Sequence, residues 1–131
     1  MLKLVGILGL LVVAAAAYIR LAPSDPARWH VPLTFDADQD SKYGVQRVVQ
    51  TGPDGLARLD ALIGKPPLAG SVAEGHATYV VRTPFWGFPD YVTAQQDGDR
   101  LRIFSRLRFG RSDLGVNGRR VEQWLAVLKA G

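Results

Sequence analysis

The sequence predicts an α+β domain: a small antiparallel sheet of three to four strands packed on two helices, preceded by an N-terminal membrane-spanning or signal helix. Three observations predict it. Leu4 to Ile19 is an uninterrupted apolar run. The stretch from Thr78 to Phe109 is rich in β-branched and aromatic residues and is broken by Asp97-Gly98, a tight-hairpin signature. Two segments, beginning near Leu56 and Leu114, repeat apolar residues at helical spacing. Helices that do not alternate with the strands argue against a parallel sheet.

The apolar run follows Lys3 and ends at Arg20. Sixteen helical residues span about 24 Å, short of a roughly 30 Å hydrocarbon core; Leu2, Leu21 and Ala22 extend the run to a marginal span. Two readings stay open. One is an uncleaved single-pass anchor. The other is a secretory signal with Lys3 as its charged start, Leu4–Val13 as its apolar core and Ala14-Ala15-Ala16 as its cleavage site. A core helix is disfavoured because the run has no polar face. Both readings carry the rest of the chain across a membrane. The expected location is the bacterial inner membrane with the C-terminal domain outside the cytoplasm, or the periplasm after cleavage.

Residues 22–43, with Pro23, Pro26 and Pro32, read as an extended tether, and 44–131 as one globular domain. Asp36, Asp38 and Asp40 are spaced like the start of a calcium loop. Ser41 then stands where glycine is needed and Arg47 where the bidentate glutamate belongs, so no metal is expected. The absence of cysteine excludes a disulfide scaffold, thiol chemistry and a cysteine-ligated metal. His30 and His76 alone leave little for a histidine site, and no cofactor is expected.

Within the domain, Val45–Val49 reads as a short strand. Asp54 caps a helix that carries Leu56, Leu59, Leu62 and Ile63 and stops at Gly64 and Pro66-Pro67. Thr78–Thr83 is a strand, and Pro84–Pro89 an aromatic bend that closes the end of a core or dips its rings into a membrane interface. Asp90–Gln96 and Asp99–Phe109 form the hairpin. With Asp97-Gly98 as the loop, Val92 faces Ile103, Ala94 faces Leu101 and Asp90 faces Ser105; a one-residue shift of the loop keeps the same faces. In the last helix, capped by Ser112 or Asp113, a stripe of Leu114, Asn117, Val121, Trp124, Leu125 and Leu128 faces the sheet.

Charge is unevenly placed. Residues 1–99 carry 8 Lys/Arg and 10 Asp/Glu, a net of −2; residues 100–131 carry 8 and 2, a net of +6. Arg100, Arg102, Arg106 and Arg108 share one face of one strand, opposite the apolar face of Leu101, Ile103, Leu107 and Phe109. Read as a wet outer face, the row suits solubility and edge protection, or attraction to an anionic lipid or an acidic protein partner. Nucleic acid is not expected beyond an export segment. On the opposite, dry face sit three polar residues, Asp90, Ser105 and Asn117. Burying them unpaired costs a few kcal/mol each, so they must bond one another. Arg111, Ser112, Asp113 and Arg120 flank them in sequence, giving a structural network or a small ligand pocket. The chain has no nucleophile elbow, zinc helix, P-loop or dinucleotide glycine pattern. Gly115–Gly118 is a lone GxxG, and no catalytic residue is assigned.

The string SRLRFGRSDLGVNGRR at Ser105–Arg120, with Phe88-Pro89-Asp90 before it, resembles the domain-of-unknown-function family numbered 1499. Phe88, Pro89, Asp90, Ser105, Arg106, Gly110, Ser112, Asp113, Leu114, Gly115, Asn117 and Arg120 match its pattern, over roughly residues 55–128. The resemblance implies a bacterial or plastid-type protein with an N-terminal hydrophobic segment, and it brings no established reaction. Tyr91 stands where many members carry a second acid, and Gly118 where a basic residue is common. That removes half of any carboxylate pair. Two functional readings follow: a non-enzymatic, membrane-anchored envelope module presenting the basic face, or a ligand-binding or weakly enzymatic pocket around Asp90, Ser105, Asp113 and Asn117.

Overall fold

A computed structural model describes residues 1–84 and 87–130. Phe85 and Trp86 of the expected aromatic bend, and the terminal Gly131, lie outside the described residues. Helix α1 (Leu2–Leu21) has 20 residues, about 30 Å of rise, and none of them is buried against the domain. It is long and apolar enough to cross a membrane. A short α2 (Pro26–Trp29) follows, with Asp25 accepting from the Ala27 N–H at its start.

The remaining elements are β1 (Gln39–Ser41), β2 (Gly44–Gln50), α3 (Gly55–Ile63), β3 (Ala69–Ser71), β4 (His76–Arg82), β5 (Pro89–Asp97), β6 (Arg100–Leu107) and α4 (Val116–Ala130). The strands form one antiparallel sheet of six, ordered β1-β2-β6-β5-β4-β3, not three or four. The two extra strands are three-residue edges, too short to show an alternation that sequence could reveal. The expected α+β class and its two packed helices stand. Both α3 and α4 lie on one sheet face, over Val45, Val49, Ala77, Tyr79, Val92, Ala94, Leu101 and Ile103.

The β5–β6 pairing is two residues from the first one expected, because the loop is shifted by one. Asp90 faces Leu107, Val92 faces Ser105 and Ala94 faces Ile103, and the two-residue loop is Gly98-Asp99. Gly98 has φ +59°, the glycine-first arrangement of a type II′ turn, which no side-chain-bearing residue adopts as cheaply. The inward faces are preserved, so Asp90 and Ser105 do point to the helix side.

Three further expectations need correction. Asp54 sits at the start of α3 but makes no cap; its carboxylate pairs with Arg58 at 3.3 Å instead. The α3 start is held by Gln96, whose Oε1 accepts from the Leu56 N–H at 2.9 Å while its Nε2 donates to Gly52 and Gly98 carbonyls. Helix α4 begins at Val116, so Leu114 leaves the apolar stripe and lies in a turn, 81% exposed.

The third correction concerns residues 22–36, which do not hang as a free tether. They form a strap across the sheet face opposite the helices, burying Ala22, Trp29 and Leu33. The Trp29 ring stacks on Tyr91 with centroids 3.8 Å apart. His30 stacks on His76 at 3.9 Å, fitting over Gly70, where a Cβ would stand 2.7 Å from the imidazole.

Candidate functional site

The arginine row lies under this strap. Arg102 and Arg106 are each only 7% exposed, so the wet basic face that parity suggested is not present. An irregular segment brings backbone carbonyls that no ladder satisfies, and a guanidinium offers five donors to meet them. Arg106 donates to the Trp29 carbonyl at 2.5 Å, the Thr93 hydroxyl at 2.8 Å and the Phe104 carbonyl at 3.0 Å. Its guanidinium also lies over the Phe104 and Trp29 rings. Burial pulls its pKa down to about 10, against a weaker opposing influence of Tyr91. Arg102 donates to the Phe35 carbonyl at 2.7 Å and pairs with Asp36 and Asp97. Arg100 meets Asp36 at 3.2 Å, and Arg108 holds the Pro23 carbonyl at 2.8 Å and the Tyr91 hydroxyl at 3.1 Å. All four arginines of the row bind the chain itself.

The strap is pinned along its length by other polar groups. Ser24 meets the Tyr91 hydroxyl at 2.7 Å, and Leu33 donates to Gln95 at 2.8 Å. His30 Nδ1 meets Thr78 Oγ1, and His76 Nε2 the Val31 carbonyl, both at 2.8 Å. Thr78, Thr93 and Trp29 complete a chain of short bonds to Arg106. Both histidines belong to this face.

The polar residues of the helix face gather at the start of α4, with Asp90 joined to Asn117 through Arg120. Ser105 and Asn117, both fully buried, share a short bond from Ser105 Oγ to Asn117 Oδ1. Arg120, one turn along α4 and on the same side, donates to Asp90 Oδ2 at 3.1 Å and to Asn117 Oδ1 at 3.5 Å. Asp113 caps α4, its Oδ1 accepting from Gly115 N–H at 2.8 Å and its Oδ2 from Asn117 N–H at 3.2 Å. Ser112 accepts from the Leu114 N–H at 3.2 Å. Arg111 is exposed and joins none of these bonds. Burial raises the Asp90 pKa; Arg120 opposes the rise and Asp113 adds to it. Asn117 Nδ2 is buried and has no hydrogen-bond partner among the described residues.

Above this network opens a cavity of about 500 Å³, lined by Asp90, Ser112 and Asp113 among walls of Phe88, Leu107, Phe109 and Val116. That is the size range of small-molecule pockets, which combine apolar walls with a few fixed polar groups. Thr83, Leu114 and Ile19 of α1 also line it. Tyr18, beside Ile19, meets the Phe109 ring edge-on at 6.1 Å. Of the residues expected around a pocket, Asp90, Ser112 and Asp113 line the cavity while Ser105, Asn117, Arg111 and Arg120 are not among its lining, and the apolar walls were not foreseen. Leu114, an apolar residue in a turn rich in glycine and charge, was the available clue. Among the described residues, no group of three or more His, Cys, Asp or Glu could hold a metal ion.

The family model described as "Protein of unknown function (DUF1499)" matches residues 13–128. The chain belongs to that family. The match begins inside α1 and runs through the strap, the sheet and α4, so the helix end, the strap and the pocket all fall within the family's region. No curated protein and no solved structure matches the chain.

Proposed function

We propose that this family member is a membrane-anchored module of the cell envelope, its folded domain outside the cytoplasm, that binds a small ligand in the cavity between α1 and the Asp90–Arg120 network. One observation carries the reading: the cavity joins the last turn of a bilayer-length helix, at Ile19, to a buried polar cluster. A cluster that served only to tie α4 to the sheet would not need an open volume above it. A binding role is favoured over catalysis because both histidines sit on the strap face, across the sheet from the cavity. The reading of the chain as a display of basic charge loses its support, since Arg102 and Arg106 are buried and all four arginines of the row bind strap groups.

The test is to purify the full chain from membranes in native lipid particles, wild type beside Val116→Trp, and to analyse extracted small molecules by mass spectrometry. The tryptophan fills the cavity at its α4 wall. A compound near one per chain in the wild type and lost in the variant, with melting temperature retained, supports the proposal. Equal small-molecule content in both overturns it. Should the variant melt early, Leu114→Asp at the exposed edge serves in its place. Intact mass from the same preparation separates a retained anchor, which begins at the N-terminus of α1, from a chain cleaved near Ala16.

A further inference from the structure

Resting on that binding reading, we infer that the ligand is a single-chain membrane amphiphile whose polar end donates hydrogen bonds, a hydroxyl or ammonium head, and not an anion. The source follows from position. The cavity opens beside Ile19, one residue before Arg20, where a helix of about 30 Å reaches the edge of the hydrocarbon core. A hydrocarbon chain can pass there from the bilayer without crossing water.

The walls say the same. Ile19, Phe88, Leu107, Phe109 and Val116 are apolar, and they surround a volume suited to one chain with a small head. Leu114 adds an independent observation. It is 81% exposed and holds φ +52°, a left-handed conformation that costs a non-glycine residue about 1–2 kcal/mol. A glycine would relieve that cost, and Gly115 beside it already adopts φ +79°. An exposed, strained leucine at the edge of an apolar cavity next to a membrane helix suits contact with lipid, since strain of this kind marks functional positions.

The head follows from charge. The polar groups lining the cavity are Asp90, Asp113, Ser112 and Thr83, two carboxylates and two hydroxyls. The neighbouring cation, Arg120, is already engaged by Asp90 and Asn117 and does not line the space. Among the residues lining the cavity an anionic head would meet two acids and no cation; a hydroxyl or ammonium head would meet acceptors.

The experiment uses the full chain in phosphatidylcholine nanodiscs with a monoacylglycerol bearing a photoreactive diazirine on its chain. Cross-linked residues are mapped by mass spectrometry. The expected labels fall on the Ile19, Phe109 and Val116 peptides, and unlabelled monopalmitoylglycerol removes them at a tenfold lower concentration than palmitate. Leu114→Asp lowers labelling at least fivefold with melting temperature unchanged, and Asp113→Asn narrows the gap between the two competitors. Labelling spread along α1 with none in the domain overturns the inference, and so does palmitate competing as well as the glyceride. These failures are separable from failure of the binding reading. If a water-soluble compound is retained by the wild type and lost in Val116→Trp, only the amphiphile is wrong; if nothing is retained, both fall.

Discussion

Asp90 shows how one residue's chemistry is set by what surrounds it. The residue is 3% exposed, and burial raises its pKa above the ordinary 3.8 despite the Arg120 guanidinium 3.1 Å away. The folded state therefore binds the proton more tightly than the unfolded chain. Stability from that proton is complete below pH 3.8 and is lost as pH rises through the raised folded value. Asp90→Asn should abolish this fall, giving a flatter urea-midpoint profile from pH 3.8 upward in detergent; parallel profiles would show that Asp90 does not cause it. Leu114 gives the opposite kind of prediction. Leu114→Gly removes the left-handed strain and should stabilise the fold by about 1 kcal/mol, read by urea unfolding, while weakening lipid labelling at the cavity. A loss of stability would mean that the side chain packs in a way its exposure does not suggest.

At the scale of elements, the strap and β6 explain each other. Alternation placed Arg100, Arg102, Arg106 and Arg108 together on one strand face, and that assignment holds. What covers the face could not be read, because a strap of prolines, isolated apolar residues and acids has no period. Only docking reveals that Trp29 meets Tyr91 and that its carbonyl meets Arg106. The same docking stacks half-buried His30 against His76 and lowers the His30 pKa, chiefly by desolvation and then by its neighbour's charge, with Glu74 opposing. A lowered histidine pKa contributes stability that is present above 6.5 and lost as pH falls through the folded value. Acidification below pH 6.5 should thus lower the hydrogen-exchange protection factor of the Leu33 amide on the strap, after correction for the intrinsic rate, more than that of Ile103 in the core. His30→Asn should remove much of that dependence, and an unchanged dependence would assign it elsewhere.

For the whole molecule, the strap ties the domain to the end of α1, so the two should move together. The connection runs from Tyr18 against Phe109 through the Arg108–Pro23 bond to Trp29 under Arg106. The chain has no cysteine, so spin labels can be placed at Leu10→Cys and Glu122→Cys without background. Pulsed electron–electron resonance in nanodiscs should give a narrow distance distribution. Arg106→Ala, which leaves buried carbonyls short of donors and costs about 2–4 kcal/mol, should broaden it. A broad distribution in the wild type would overturn that expectation.

Alone, the sequence determined the apolar N-terminal helix, the α+β class, the two inward helix stripes after Leu56 and Asn117, and the polar trio Asp90, Ser105 and Asn117. Each is a local pattern: unbroken hydrophobicity, a period of two, or a period near 3.6. Tertiary structure alone decided that Gly98 opens the hairpin turn, that β1 and β3 complete a sheet of six, that the arginine row is buried, and that Ile19 and Val116 meet across a cavity. Those outcomes depend on partners far apart in the chain, such as Trp29 and Arg106 or Ile19 and Asp90. Pairings over such separations leave no period in the sequence, because only the folded packing brings their atoms together.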